Sequence, residues 1–278
     1  MAMVVQHNLR AMNSNRMLNV NTQTQVKSAE KLSSGYKINR AGDDAAGLAI
    51  SEKMRRQVRG LTQASANAQD GISMVQTAEG ALNEVHDMLQ RLNELAVKAE
   101  NGTLTTKDRE FVDSEVQQLL SEIDRVASTT TFNEKNLLDG TFENTACGLQ
   151  VGAECGQHID LTIDKLTCSG LGLGAVGARE SAASVSKAQS LNDKVKAAIT
   201  TLSTQRSNLG AVQNRLEHTI NNLDNVVENT TAAESRIRDT DMASAMVEYT
   251  KNSVLAQAGT AMLAQANTSA QNVLSLLQ

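Results

Sequence analysis

The sequence predicts a mainly α fold: an elongated antiparallel helical rod or coiled-coil bundle with a small β-hairpin region. Three observations predict it. Residues 188 to 237 carry a nearly unbroken seam at gaps of 3 and 4, made of Ala188, Leu191, Val195, Ala198, Leu202, Gln205, Leu209, Val212, Leu216, Thr219, Leu223, Val226, Thr230, Ala233 and Ile237. Such spacing puts a stripe along one side of a helix, useful only where a partner helix covers it. The run holds no proline and one glycine, Gly210, so at 1.5 Å per residue it extends roughly 75 Å. Finally, the 278 residues include no tryptophan, two tyrosines and three phenylalanines. Compact cores draw much of their buried area from aromatics. Here Leu, Val, Ile, Met and Ala must supply it, which suits thin helical bundles.

Residues 1 to about 34 read as a helix of weak apolar content. Val5, Leu9 and Met12 share a face, as do Val26, Ala29 and Leu32, with Asn, Gln, Ser and Thr between them. A helix of this kind is marginal without a packed face. Residues 34 to 47 break the pattern with three glycines and read as a connector. Within it, Asp43 and Asp44 read as a turn followed by a helix cap rather than a cation site.

A second helical run spans about 44 to 100, with Ile72, Val75, Ala78, Leu82, Val85, Leu89, Leu92, Ala96 and Ala99 at gaps of 3 or 4. Asn101-Gly102 reads as its stop, with glycine just past the helix. Thr105 followed by Asp108 resembles a capping box. It opens a third helix on Val112, Val116, Leu119, Ile123 and Val126, and the short link makes the two an antiparallel pair.

Residues 129 to 178 differ in kind: they are glycine-rich and hold all three cysteines. GLQVGAECGQHIDLTID (148 to 164) alternates like two strands around Ala153-Glu154-Cys155-Gly156, hence a β-hairpin. Residues 171 to 178 read as a glycine-rich return. The long helix follows from about 179 to 237. A last helix spans about 241 to 276, with Met242, Met246, Tyr249 and Ala256 on one side, continued by Leu263, Ala270, Leu274 and Leu277. Both chain ends thus have low charge, small side chains and weak seams, and are expected to lie together.

Composition excludes several function classes. The formal net charge is -5 and no basic patch dominates, which makes nucleic acid a poor partner. No stretch approaches the ~18 consecutive apolar residues of a membrane span, so membrane insertion is not expected. The N-terminus lacks the apolar segment of a cleaved signal peptide, which leaves a cytosolic chain or one exported by another route. Cys147, Cys155 and Cys168 with His158 do not match a zinc spacing, and an odd cysteine count argues against a disulfide framework. The four histidines are scattered without an H-E-x-x-H, and no Ser-His-Asp set or phosphate loop stands out. Neither metal, cofactor nor catalytic residues are expected. The N-x-Thr/Ser triplets at Asn101, Asn229 and Asn267 are common chance patterns.

Five segments make the chain resemble bacterial flagellin: LSSGYKINRAGDDAAGLAISEKM (32 to 54), QDGISMVQTAEGALNEVHDMLQRLNELAVKAENG (69 to 102), SEIDRVASTTTFNEKNLLDG (121 to 140), LQVGAECGQHI (149 to 159) and the C-terminal SRIRDTDMASAMVEYTKNSVLAQAGTAMLAQANTSAQNVLSLL (235 to 277). The resemblance implies a subunit that polymerises into the flagellar filament and leaves the cell unfolded through the flagellar type III export channel. An export chaperone and cap and hook-associated proteins would be partners. Residues 1 to 40 and 238 to 278 would pair as the helical core (assembly) domain, with 41 to 237 as the rod domain. Only about 40 residues separate the third helix from the long one, so large outer domains are expected to be absent. Val5, Leu9, Met12, Met246, Leu263, Leu274 and Leu277 would serve assembly. Weak amphipathic ends fold poorly alone, and neighbouring copies would supply the missing surface. An interface that does not close on itself gives an open helical filament.

The resemblance also implies that Arg91, Leu95 and Glu115 contact the flagellin-sensing Toll-like receptor of animals. Arg91 and Leu95 are one helical turn apart and share a face. Leu95, off the seam of Leu89, Leu92 and Ala96, is expected to be partly exposed. The plainer reading pairs Arg91 with Asp87 as a helix ion pair. Two alternatives to the filament subunit remain at this stage. A flagellar junction or hook-associated protein would share the terminal helices, and a type III translocator would need a long apolar span.

Overall fold

A computed structural model describes residues 8–144, 146–174 and 181–275; the side chains of 144 and 270–275 are outside that description. In chain order the elements are α1 (Leu9–Ser34), α2 (Ala45–Glu100), α3 (Thr106–Thr129), β1 (Thr131–Phe132), β2 (Lys135–Asn136), α4 (Thr141–Asn144), β3 (Cys147–Gln150), β4 (His158–Leu161), α5 (Val185–Arg238) and α6 (Met242–Ser275). The predicted mainly α fold with a β-hairpin is found. The chain forms two compact units. One comprises Met1–Arg56 with Asn229–Gln278, the other Gln57–Glu228.

In the first unit α1 runs antiparallel to α6. Asn8 caps α1 by accepting from the Ala11 amide at 3.0 Å, and its Nδ2 donates to Ala266 O at 3.0 Å. Ten residues along α1 and seven back along α6, Leu18 packs where Gly259 lacks a side chain. The helix α1 ends on Gly35, left-handed at φ 76, whose amide returns to Lys31 O. Glycine takes that conformation without the clash a Cβ brings. The connectors then pair: Lys37 N donates to Arg238 O at 2.7 Å and Thr240 N to Gly35 O at 2.9 Å. Asp43 Oδ2 accepts from the Asn39 and Arg40 amides, and Asp44 Oδ1 accepts from Gly47 N, the turn and cap expected of these residues. The Arg40 and Asn39 amides hold the Asp43 carboxyl below the usual carboxylate range.

In the second unit α2, α3 and α5 enclose one apolar core. It is built from Val75, Ala78, Leu82, Val85, Leu89 and Leu92 on α2, Val116, Leu120 and Ile123 on α3, and Leu191, Val195, Leu202 and Leu209 on α5. Polar pairs fix α2 against α5 in antiparallel order: Asn192 Nδ2 donates to Glu100 at 2.7 Å, Arg206 lies 3.8 Å from Glu79, and Ser65 Oγ donates to Asp224 at 3.4 Å. The α5 seam is continuously buried from Ala188 to Leu209. Beyond it only Leu216 and Leu223 stay buried, with Val212 and Val226 half-exposed.

The α3 seam and the inward α6 face need correction. The stop expected at Asn101-Gly102 is found, with α2 ending at Glu100, but Gly102 does not cap it in the left-handed conformation. Instead Arg109, from the first turn of α3, donates to Ala99 O and Asn101 O at 3.0 Å each, supplying the donors the helix end lacks. The buried seam of α3 is Val112, Val116, Leu120, Ile123 and Ala127, while Leu119 and Val126 are half-exposed. The capping box of Thr105 and Asp108 is present with both reciprocal bonds. On α6, the inward residues are Ala245, Tyr249, Asn252, Ala256, Gly259, Leu263 and Ala266, again at gaps of 3 and 4. Met242 and Met246, expected with Tyr249 and Ala256, are exposed. The small side chains allow close helix approach, and the larger methionines are left outside.

The predicted hairpin is β3–β4, antiparallel with Gln150 opposite His158 and Cys147 opposite Leu161. Two α2 glycines let it dock. A Cβ on Gly60 would lie 2.9 Å from Ala153 Cβ, and one on Gly71 would lie 2.5 Å from Leu149 Cδ1. Eleven residues separate these glycines, three helical turns, so both face the hairpin. A second hairpin, β1–β2, turns through Asn133 and Glu134 at φ 48 and 65. The segment after β4 crosses α3. There Cys168 N donates to Asp124 Oδ1 at 2.8 Å, Cys168 Sγ donates to Leu120 O at 3.1 Å, and Ala182 N donates to Asp113 Oδ1 at 2.7 Å. Half of the glycine-rich return, at 175–178, lies outside the described residues.

Candidate assembly and recognition surfaces

The α1–α6 pair is inverted relative to an ordinary helical hairpin. Its buried side chains include Ser28, Asn252 and Ala245, and Asn252 Nδ2 has no hydrogen-bond partner. Leu18, Tyr249 and Leu263 are half-buried, but most of its large apolar side chains face away: Leu9, Met12, Met17, Val20 and Val26 on α1, and Met242, Met246, Val247, Val254, Leu255 and Met262 on α6. Counting 100° per residue, Val247 and Val254 sit nearly opposite the Ala245–Asn252 stripe. Isolated exposed leucines need no explanation, but two apolar helix faces in one helical pair mark an interaction surface. Of the residues expected to serve assembly, Leu9, Met12 and Met246 lie on these outward faces and Leu263 is half-buried between the helices. Val5 and Leu277 fall outside the described residues, as does the side chain of Leu274.

On the second unit, Arg91 and Glu115 meet across α2 and α3. Arg91 Nη2 and Nε donate to Glu115 Oε1 at 2.8 and 3.0 Å, and Nη1 donates to Glu94 Oε2 at 2.9 Å. The guanidinium therefore reaches Glu115 and Glu94, not the Asp87 four residues before it. The hydrogen bonds from Glu115, then Glu94, hold Arg91 protonated more firmly than a free arginine. Leu95 departs from expectation: it is 2% exposed and belongs to the core. The physical reason is angular. Leu95 lies 60° from Leu92 around the helix, and a helix covered by both α3 and α5 buries a stripe wider than a single seam. Phe111, one turn before Glu115 on α3, is 75% exposed. The sequence offered a sign of this, since Phe111 lies 100° off Val112, outside the α3 seam.

Among the described residues Cys147, Cys155 and Cys168 form no disulfide, and Cys168 Sγ is engaged with Leu120 O. Among the described residues there is no cluster able to hold a metal ion, and no helix is long and apolar enough to cross a membrane.

Helices paired end to end of the chain, outward apolar faces and a hairpin-bearing helical core define a structural, assembly-type protein. Residues 5–143 match the bacterial flagellin N-terminal helical region and residues 192–277 the C-terminal helical region. The chain belongs to the bacterial flagellin family, the structural subunits of the flagellar filament. It is 53% identical to the flagellin of Halalkalibacterium halodurans, covering 99% of this chain and 100% of that one. It is 51% identical to a flagellar filament core protein of Treponema maltophilum, with 99% and 100% covered. Among solved structures it is similar to the crystal structure of Bacillus cereus flagellin, 28% identical over 57% of this chain and 88% of that one, with a TM-score of 0.49.

Proposed function

We propose that the chain is a filament flagellin that polymerises with copies of itself through its terminal helices. Residues 1–40 and 238–278 act as the assembly domain, and 41–237 act as the rod domain. The observation that carries the reading is the inverted α1–α6 pair, which buries small and polar groups while holding Leu9, Met12, Val20, Met246, Val247 and Val254 outward. Burying such surface yields roughly 25 cal/mol per Å², so neighbouring copies gain most by covering these faces. Leu263, half-buried between the helices, and Val5, Leu274 and Leu277 are further assembly candidates.

The same reading has the chain exported through the flagellar type III channel, guided by a chaperone and placed by cap and hook-associated proteins. It also has Arg91, Leu95 and Glu115 serve recognition by the flagellin-sensing Toll-like receptor of animals. Arg91 and Glu115 supply the exposed polar contact, and Leu95, buried in the core, acts through the packing of α2 rather than by direct contact. The half-exposed Arg91–Glu115 pair, held in one geometry by three hydrogen bonds, supports this.

The test is seeded polymerisation of purified chain at neutral pH, followed by electron microscopy. Long uniform filaments are expected. Persistent monomers or short caps, where a known flagellin grows, would replace this reading with a junction protein.

A further inference from the structure

Methionine exposure differs between the two units. Of the ten methionines, Met1 and Met3 lie outside the described residues. In the second unit Met74 is buried in the core and Met88 is half-buried against it. In the first unit Met54 is half-buried, whereas Met12, Met17, Met242, Met246 and Met262 are 64, 56, 49, 50 and 63% exposed. All five lie on the outward apolar faces of α1 and α6, and they make up nearly half of the large apolar side chains there. A thioether packs well on an adaptable apolar surface, but it is also an oxidisable group.

We propose that these five methionines form a reversible oxidation site that controls whether the chain can assemble. The proposal rests on the reading that these faces are contacts between copies. The oxidant is a peroxide. The thioether sulfur gives two electrons to hydrogen peroxide, the O–O bond breaks, an S–O bond forms, and water leaves. The product sulfoxide is polar and chiral where the thioether was apolar. On a free chain the sulfoxide oxygen stays in water at little cost. In an apolar contact between copies it loses that water and finds no donor, which disfavours burial. A reductase supplied with a dithiol reverses the change: the sulfoxide oxygen leaves as water and the dithiol becomes a disulfide. Oxidation therefore acts on free chains, while assembled chains shield the same sulfurs.

The experiment is an interference measurement on the full chain, so it needs no variant that might fail to fold. Monomer is oxidised with hydrogen peroxide to an average of about one sulfoxide per chain, seeded to polymerise, and separated into filament and supernatant. Peptide mass spectrometry then reads the sulfoxide at each methionine in both fractions. Sulfoxide at Met12, Met17, Met242, Met246 and Met262 should be depleted in filament on the order of tenfold, the ratio expected from one buried unpartnered polar group. Sulfoxide at Met88, half-buried on the second unit and outside these faces, should distribute evenly. Methionine sulfoxide reductase should return the excluded fraction to assembly. Preformed filament should oxidise more slowly than monomer at the five sites. Equal sulfoxide in both fractions, or equal rates in filament and monomer, overturns the proposal. Failure of untreated chain to polymerise overturns the subunit reading, and the proposal with it.

Discussion

The guanidinium of Arg238 lies 4.8 Å above the ring of Tyr36. Its Nη1 also donates to Glu52 Oε1 at 2.6 Å, and its own carbonyl accepts from Lys37 N. One residue at the end of α5 therefore joins the connector after α1 to the first turns of α2. The Arg238 side chain is mostly buried and the Glu52 side chain is exposed, so the stacking contributes beside a solvent-screened ion pair. Replacing Arg238 with Gln should cost about 1 kcal/mol and speed amide exchange at Lys37 and Thr240, the two amides that tie the connectors. Exchange unchanged at both amides would mean that the backbone pairing holds without the clamp.

Leu95 and Arg91 should separate by what their loss disturbs. Leu95 is in the core, so Leu95→Ala should destabilise the second unit by about 2–5 kcal/mol through the cavity it leaves. Arg91→Ala removes an exposed pair and should leave the melting temperature nearly unchanged. Binding to the animal receptor should fall in both variants, but only in Leu95→Ala together with a melting shift. A Leu95→Ala protein that melts normally would place this side chain outside the core.

Acidification should loosen two local structures through depressed carboxylates. The Thr105 hydroxyl and amide hold Asp108 below its ordinary value at the start of α3, and the Thr141 hydroxyl does the same for Asp139. A group with a depressed folded-state pKa stabilises the fold above its unfolded value, near 4, and loses that contribution as pH falls through the lower folded value. Asp139→Asn should therefore remove part of the acid-side slope in a series of melting curves from pH 6 down to pH 2. Superimposable slopes for wild type and variant would deny Asp139 that role.

Helix existence was legible because gaps of 3 and 4 recur over long runs without proline, as at Leu82, Val85, Leu89 and Leu92. Inside and outside were harder to read. A periodic seam identifies a stripe but not its width, so Leu95 was placed outside although two helices cover its side of α2. On α6 the largest apolar residues suggested the inward face, yet Ala245, Ala256 and Gly259 hold it because small residues let backbones approach. The turn at Asn133-Glu134 escaped because left-handed turns are signalled by Asn-Gly or Asp-Gly, and glutamate carries no such mark. The Arg91–Glu115 pair joins residues 24 apart in sequence, a distance no helical spacing rule reaches.

Gly80 and Gly60 of α2 should answer alanine substitution differently. Gly80 lies mid-helix with nothing within 4 Å of the position a Cβ would take. Gly80→Ala should stabilise the second unit by up to about 1 kcal/mol, the propensity gain of alanine over glycine inside a helix. Gly60 receives the same gain, but its Cβ would meet Ala153 Cβ at 2.9 Å and Ala153 Cα at 3.3 Å. That contact is with the tip of the β3–β4 hairpin, where backbone rather than a flexible side chain must move. Overpacking of this kind costs about 1–3 kcal/mol, enough to cancel or reverse the gain. Gly60→Ala should therefore be neutral to destabilising, with faster amide exchange at Val151, whose N–H closes the hairpin onto Gln157 O. Equal stabilisation by both substitutions would show that the hairpin does not rest on α2 at Gly60.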